Sequence, residues 1–209
     1  MHEEDVGSLA RRIAACLCGY HVHLCLTLIV CLAEGQPVSL ASLASAASSD
    51  RETVREALQE IPDIEWDEAG NIVAFGLSLL PTVHQFAVNG QSLYTWCALD
   101  TFMYTALLAQ PVQVTSQCPV SGRSFLLTMT PAGIPQAEPA ESMLSLVIPS
   151  SSVVDCRRSA FCNYGHFFAT ADAGLSWQRT HPDALLLPLT TAHLLGQLLV
   201  DQRKRHACA

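Results

Sequence analysis

The stretch Pro37–Phe75, PVSLASLASAASSDRETVREALQEIPDIEWDEAGNIVAF, carries three successive patterns. Ser39 stands where a helix N-cap belongs, and Leu40, Leu43, Ala44 and Ala47 then fall on one helical face. Ser48-Ser49-Asp50 breaks that run and offers a second cap before the charged, helix-prone Arg51–Ile61. After Pro62, Ile64-Glu65-Trp66 and Ile72–Phe75 flank Asp67-Glu68-Ala69-Gly70-Asn71, β-prone residues on either side of a turn. Two short helices about a tight break, followed by a hairpin, predict a winged-helix arrangement. Its second helix sets Arg51 and Arg55 against Glu52, Glu56 and Glu60, a poor surface for DNA, so a structural or site-covering role is expected.

Upstream, residues 9–34 read as one or two helices ending at Glu34-Gly35. Within them Ile13–Ala33 has no formal charge and is long enough to span a bilayer. Gly19, Tyr20, His21, His23 and Thr27 interrupt its middle, where polar groups are costly in lipid, so a core helix is expected instead. Downstream the character changes. Val112–Thr115, Phe125–Met129 and Leu144–Ile148 are β-prone, Thr130–Pro139 and Pro149–Val153 read as proline-bearing loops, and Thr191–Arg205 reads as a helix. Strands without regular intervening helices predict an α+β fold, with an antiparallel sheet and flanking helices beside the helical winged region. The division expected is a winged-helix-like domain over 1–80 and a core carrying the chemistry over 81–209. The basic tail Arg203-Lys204-Arg205-His206 reads as a solvated helix terminus.

The 209 residues are half apolar, which excludes a disordered chain, and carry a net charge of −8, which removes any global field for phosphate. No nucleic-acid or membrane partner is therefore expected. The N-terminus, Met1-His2-Glu3-Glu4-Asp5, lacks the basic residues of a secretory signal, and nine cysteines form no CxxC. Unpaired thiols in a reducing cytoplasm are the expectation.

Which of those thiols carry chemistry is narrowed by what surrounds them. There is no phosphate-cradling glycine loop, GxSxG elbow or HExxH motif. Cys16, Cys18 and Cys25 with His21 and His23 match no structural zinc spacing and lie in an apolar run, as core cysteines do. In Leu93-Tyr94-Thr95-Trp96-Cys97-Ala98-Leu99-Asp100-Thr101-Phe102, a helix would put Cys97 beside Asp100 at i and i+3, although such a pair is more often a packed thiol with an exposed or capping carboxylate. Cys118 lies in the turn SQCPVSG, and Cys162 in an aromatic setting, FCNYGHFF, that reads as strand-like.

These segments together resemble the alkylmercury (organomercurial) lyase family. The likeness rests on YTWCALDTF, SQC followed by its SG turn, and FC with HFF beyond it, in that order and spacing, with EGQPVSLASLA and DEAGNIVAFGLSL upstream. It covers roughly residues 24–200. The resemblance implies protonolysis of a carbon–mercury bond, giving a hydrocarbon and Hg(II) for mercury detoxification. Cys97 and Cys162 would be the thiolates and Asp100 the proton carrier, the three also holding Hg(II) as product. Cys118 would be structural. It further implies no organic cofactor, small thiols as Hg(II) acceptors, and a mercuric reductase as a possible onward partner. Cys16, Cys18, Cys25 and Cys31 depart from the family pattern and are read as core fillers; Cys156, beside Arg157 and Arg158, is a candidate accessory thiol.

The residue types suit the chemistry on independent grounds. Mercury is soft and thiolate is the softest protein ligand. Two thiolates push electron density onto the metal and make its carbon basic enough to protonate. An ordinary thiol near pKa 8.5 does not yield its proton to a carboxylate near 3.9, a gap of about 4.6 units or roughly 6 kcal/mol, unless the metal displaces it. Trp96, Phe161, Phe167 and Phe168 are candidates for an apolar wall or, equally, ordinary core aromatics, and His166 reads as a core histidine. Two rival functions are a soft-metal sensor using the winged helix for DNA and a cysteine hydrolase; the acidic second helix opposes the first, and the lack of an imidazole near Cys97 in sequence opposes the second.

Overall fold

The caps expected in Pro37–Phe75 are present in the computed structural model, which describes residues 3–17, 21–61, 63–148 and 157–207. Helix α1 (Glu3–Leu17) and helix α2 (Val22–Leu32) divide the uncharged N-terminal run, and His21 between them has a left-handed backbone. Among the described residues no helix is long and apolar enough to cross a membrane. Helix α3 (Leu40–Ala46) starts on Ser39, whose Oγ accepts from the Ser42 N–H at 3.0 Å. Helix α4 (Arg51–Gln59) starts on Asp50, whose carboxylate accepts from the Glu52 and Thr53 N–H groups. Each cap is worth about 1 kcal/mol. On α4, Arg55 is tied to Glu52, so the helix presents a neutralised face.

The hairpin of β1 (Glu65–Trp66) and β2 (Ile72–Phe75) is closed by the Asp67 carboxylate, which accepts from the Asn71 N–H at 2.7 Å. It does not stand apart as a wing. Through β3 (Leu77–Ser78) it joins β5 (Gln91–Thr95), β4 (His84–Val88), β6 (Val112–Gln117), β7 (Ser124–Thr130) and β8 (Gly133–Glu138) in one eight-stranded sheet, order β1-β2-β3-β5-β4-β6-β7-β8. The pairings are antiparallel. Strand β8 corrects the reading of Thr130–Pro139 as a loop. It is an edge strand, where Pro135 removes no ladder bond that an inner strand would need.

A second sheet, order β10-β9-β11, is made of β9 (Met143–Val147), β10 (Phe167–Phe168) and β11 (Ala184–Pro188). Helix α5 (Ala98–Leu108) is buried along its first two turns, from Ala98 to Thr105. It is clasped by the long α8 (Leu189–Ala207), which also packs on α1. One contiguous core runs from Val6 and Leu9 through Phe86, Leu99 and Phe102 to Leu195 and Leu199, so the helical N-terminal region and the sheets share a single interior. The architecture is α+β.

Candidate active site

Strand β5 turns into α5 at Trp96 and Cys97, and that junction sets the first thiol. Cys97 is the N-cap, with extended backbone, and Asp100 is the third residue of the helix. The two therefore meet by end-capping, rather than on a helix face: the Cys97 N–H donates to Asp100 Oδ2 at 3.2 Å, and the Cys97 sulfur faces the Asp100 N–H. A serine or threonine normally fills the cap; here a thiol takes that place. The Trp96 N–H donates to the Gly76 carbonyl, and Thr95 Oγ1 to the Cys97 carbonyl, which holds the junction on both sides.

Cys162 arrives from the other sheet. It opens a 3-10 turn, Cys162–Tyr164, between the short α6 (Arg157–Ala160) and β10, which corrects the strand-like expectation. The turn is tied to α5 by the Ala98 N–H, which donates to the Gly165 carbonyl at 2.9 Å. Gly165 touches Cys97 so closely that a Cβ there would lie 2.8 Å from the Cys97 Cβ and 3.3 Å from its sulfur. Ser145 on β9 clamps the turn, its hydroxyl donating to the Tyr164 carbonyl at 2.7 Å and accepting from the His166 N–H. His84, buried, accompanies this clamp: its Nδ1 lies 2.8 Å from the Ser116 hydroxyl, and burial pushes its pKa down to about 3, keeping the ring neutral.

The outcome is a compact trio. One ligand atom each from Cys97, Asp100 and Cys162 lie within 4.8 Å of one another, and all three residues are buried. Burial pushes Asp100 up to about 6, against the opposing pull of the Cys97 thiol, the Arg203 charge and the Tyr104 hydroxyl. Burial also raises Cys97 well above the ordinary thiol range, with the Cys162 hydrogen bond and the Asp100 charge adding to it. Both pKa values move up, so the uphill proton transfer from Cys97 to Asp100 persists until a soft metal takes the sulfur.

Cys162 and Asp100 line a cavity of about 30 Å³, walled by Phe75, Gly76, Trp96, Met103, Tyr104 and Phe161, with Arg203 also lining it. Gly76 has φ +72, and a Cβ there would run into the Tyr104 hydroxyl, so glycine is what lets Tyr104 reach this wall. Arg158 lies over the Trp96 ring, 5.2 Å from its centroid, and pairs with Glu65 of β1. A groove of about 820 Å³ lies elsewhere, on the sheet face that Gln85, Tyr94 and Thr115 share; it contains none of the trio.

Sequence reasoning found the trio and the Trp96 and Phe161 walls. Of the two readings open for Phe167 and Phe168, wall or ordinary core aromatic, the core holds: both are fully buried, Phe167 stacks on Phe125 at 4.3 Å, and Phe168 packs with Cys118 and Ala169 in a separate cluster. Sequence reasoning set Arg203 in solvent, whereas Arg203 lines the cavity. It missed Met103 and Tyr104, which helical spacing of three and four from Asp100 signals, and Phe75 and Gly76, which nothing local signals. His166 contacts Phe168 and Trp177, as a core histidine does. Cys25 is buried in α2 and Cys31 half-buried, outside the trio. The Cys16 side chain, Cys18, Cys156 and the expected loop Pro149–Val153 lie outside the described residues.

Comparison with known proteins bears on this geometry. The alkylmercury lyase family model matches residues 77–201, and the model for the helix-turn-helix domain of alkylmercury lyase matches residues 8–76. The chain is 45% identical over 174 residues to an alkylmercury lyase of Streptomyces lividans, covering 83% of this chain and 80% of that one. It is 44% identical over 179 residues to one of Pseudomonas putida, with 86% and 84% covered. It is 41% identical over 172 residues to one of Staphylococcus epidermidis, with 82% and 79% covered. In fold it is similar to the mercury-bound form of MerB2, with a TM-score of 0.78 at 22% identity, across 96% of this chain and 100% of that one.

Proposed function

The chain belongs to the alkylmercury lyase family and cleaves carbon–mercury bonds in mercury detoxification; from that premise we propose how Cys97, Asp100 and Cys162 divide the work. The observation that carries the proposal is the trio itself, two thiols and one carboxyl within 4.8 Å, all buried.

Cys162 lines the cavity and Cys97, with no exposed surface, does not, so an incoming mercurial meets Cys162 first. In a medium of thiols the substrate is R–Hg–S–R′. The Cys162 sulfur bonds mercury, the R′S ligand leaves, and the Cys162 proton goes with it as R′SH. Cys97 then binds, and its proton, released by the metal, passes to the adjacent Asp100 carboxylate. Two thiolates now donate into mercury and the carbon becomes the basic site. Asp100, held near pKa 6, gives its proton to that carbon, so that R–H leaves and Hg(II) stays on the two sulfurs. Two small thiols take the metal as Hg(SR′)₂ and return both protons to the cysteines.

The same reading covers the rest of the assignment. Alkyl and aryl groups are substrates, no organic cofactor takes part, and the 81–209 core carries the chemistry while 1–80 covers it. A thiol-rich cytoplasm supplies the acceptors, and a mercuric reductase is the natural consumer of the product. The test is to incubate the protein with phenylmercury and excess 2-mercaptoethanol and to quantify benzene by gas chromatography. Repeated turnover, lost in Cys97→Ser and Asp100→Asn, is the expected result; stoichiometric mercury uptake without benzene would overturn the mechanism.

A further inference from the structure

The cavity beside Cys162 and Asp100 has a mostly apolar wall, on which Arg203 is the cationic residue among those described. Trp96 is 8 % exposed, and among the described residues its indole Nε1–H finds no hydrogen-bond partner. A buried N–H in that condition is uncommon, and Trp96 lines the cavity, so a bound acceptor is one way to satisfy it. Arg203, half-buried on the last turns of α8, contributes a guanidinium to the same wall. Its charge is felt at Asp100 and Tyr104, and among the described residues it forms no contact ion pair. The neighbouring Arg158 is already engaged, by Glu65 and the Trp96 ring face. Among the described residues Asp100 is the one carboxylate on the wall, and in the proposed reaction proton transfer occupies it.

The reaction brings no acceptor of its own on the organic group or the metal. The thiol that escorts mercury does, when it carries a carboxylate: the planar guanidinium fork matches that group in two-pronged fashion, and the indole N–H adds a further donor. The chain's net charge of −8 works against an anionic thiol at long range, so a preference for one has to be local.

We propose that Arg203 and the Trp96 N–H form a carboxylate subsite for the small thiol that delivers mercury as R–Hg–S–R′ and removes it as Hg(SR′)₂. This rests on the reaction reading above. In delivery the Hg–SR′ bond breaks as the Hg–Sγ bond to Cys162 forms, and the Cys162 proton leaves on R′SH. In removal two R′SH molecules replace the two protein sulfurs, each handing its proton back. Mercury stays Hg(II) throughout.

The test compares kcat/KM for the phenylmercury adducts of 3-mercaptopropionate and of its methyl ester, each with excess of the same thiol, reading benzene release. The quantity is the carboxylate-to-ester ratio, which cancels effects common to both substrates. Arg203→Gln is expected to lower that ratio about tenfold, the size of one charge-assisted hydrogen bond. Trp96→Phe lowers it by a smaller factor, and Arg203→Lys restores part of it. On unmodified protein, free propionate is expected to slow the carboxylate adduct more than the ester. A ratio identical in wild type and Arg203→Gln overturns the subsite, as does propionate acting equally on both adducts should that variant not fold. Absence of benzene from wild type with either adduct instead brings down the reaction reading, and the subsite with it.

Discussion

Cys97 and Cys162 serve one site but are held by different kinds of structure. Cys97 is fixed by secondary structure: it ends a strand, caps a helix, bonds Asp100 through its own amide, and has no exposed surface. Cys162 is fixed by a turn of three residues, whose shape depends on Gly165 N–H donating to the Cys162 carbonyl and on one serine hydroxyl from the neighbouring strand. Cys162 meets the cavity; Cys97 meets the carboxyl. The difference teaches how a single pair of identical side chains acquires two jobs. In the proposed mechanism the turn presents the thiol that captures, and the helix terminus presents the thiol whose proton passes to the residue that protonates carbon.

The sharpest way to break this comparison is to remove each thiol in turn. A serine hydroxyl is a hard donor, and either Cys97→Ser or Cys162→Ser should lower turnover by about a thousandfold or more. The two losses should differ in kind. Cys97→Ser still captures phenylmercury on Cys162, and peptide-level mass spectrometry locates the adduct there; in Cys162→Ser the peptide holding Cys97 carries none at matched exposure. The reverse pattern would invert the order of events.

Asp100→Asn comes next. The amide keeps an oxygen for the Cys97 N–H, so the cap survives while the proton carrier is lost, and benzene release should fall by about 10²–10⁴-fold. Stability should move the other way. The Asp100 pKa is raised from 3.8 to about 6 on folding, so the native state holds the proton more tightly and stability falls as pH rises through that window. Above it the loss is roughly 3 kcal/mol. At pH 8 the asparagine variant, free of that loss, melts higher than wild type even after forfeiting about 0.3–1 kcal/mol of helix-terminus attraction. A lower melting point would mean that the buried carboxylate is better compensated by Arg203 and Tyr104 than its surroundings indicate.

The two thiols were also unequally legible. Cys97 and Asp100 sit three apart, and their proximity follows from local sequence whether the segment is a helix face or, as found, a cap. Cys162 carries no local mark of its partner, and only the likeness of YTWCALDTF and FCNYGHFF to one family pairs them; the meeting is made by long-range contacts, the Ala98–Gly165 bond and the Ser145 clamp. The winged segment was readable because caps and turn residues act within a few positions. That its hairpin continues into the main sheet was not, since β3 has two residues and too little pattern to announce itself. Arg203 sits in a basic tail with Lys204 and Arg205, both exposed, and its turn toward the cavity comes from how α8 lies on α5.

Gly165→Ala tests the contact that joins the two supports. The backbone there has φ −93, which alanine tolerates, so the effect is one of space: the new Cβ falls 2.8 Å from that of Cys97, and something must move. Overpacking of this sort costs about 1–3 kcal/mol. Because the shift separates the turn from the helix cap, turnover should drop by tens of fold while single-thiol capture on Cys162 persists. Equal loss of capture and turnover would show that Gly165 supports Cys162 alone.

Ser145→Ala is the smallest and most selective change. It strips the Tyr164 carbonyl of its donor and the His166 N–H of its acceptor, while the Cys97–Asp100 cap is untouched. Ser145 is fully buried, so water does not readily replace the hydroxyl, and a destabilisation of about 1–3 kcal/mol follows from the groups left unpaired. The turn loses definition and the helix terminus does not. Capture of phenylmercury by Cys162 should therefore slow several-fold in stopped-flow, whereas proton delivery, measured as benzene release from the preformed adduct in a single turnover, keeps its wild-type rate. A uniform slowing of both steps would mean that the clamp also sets the distance between the sulfurs, and the two supports would then act as one.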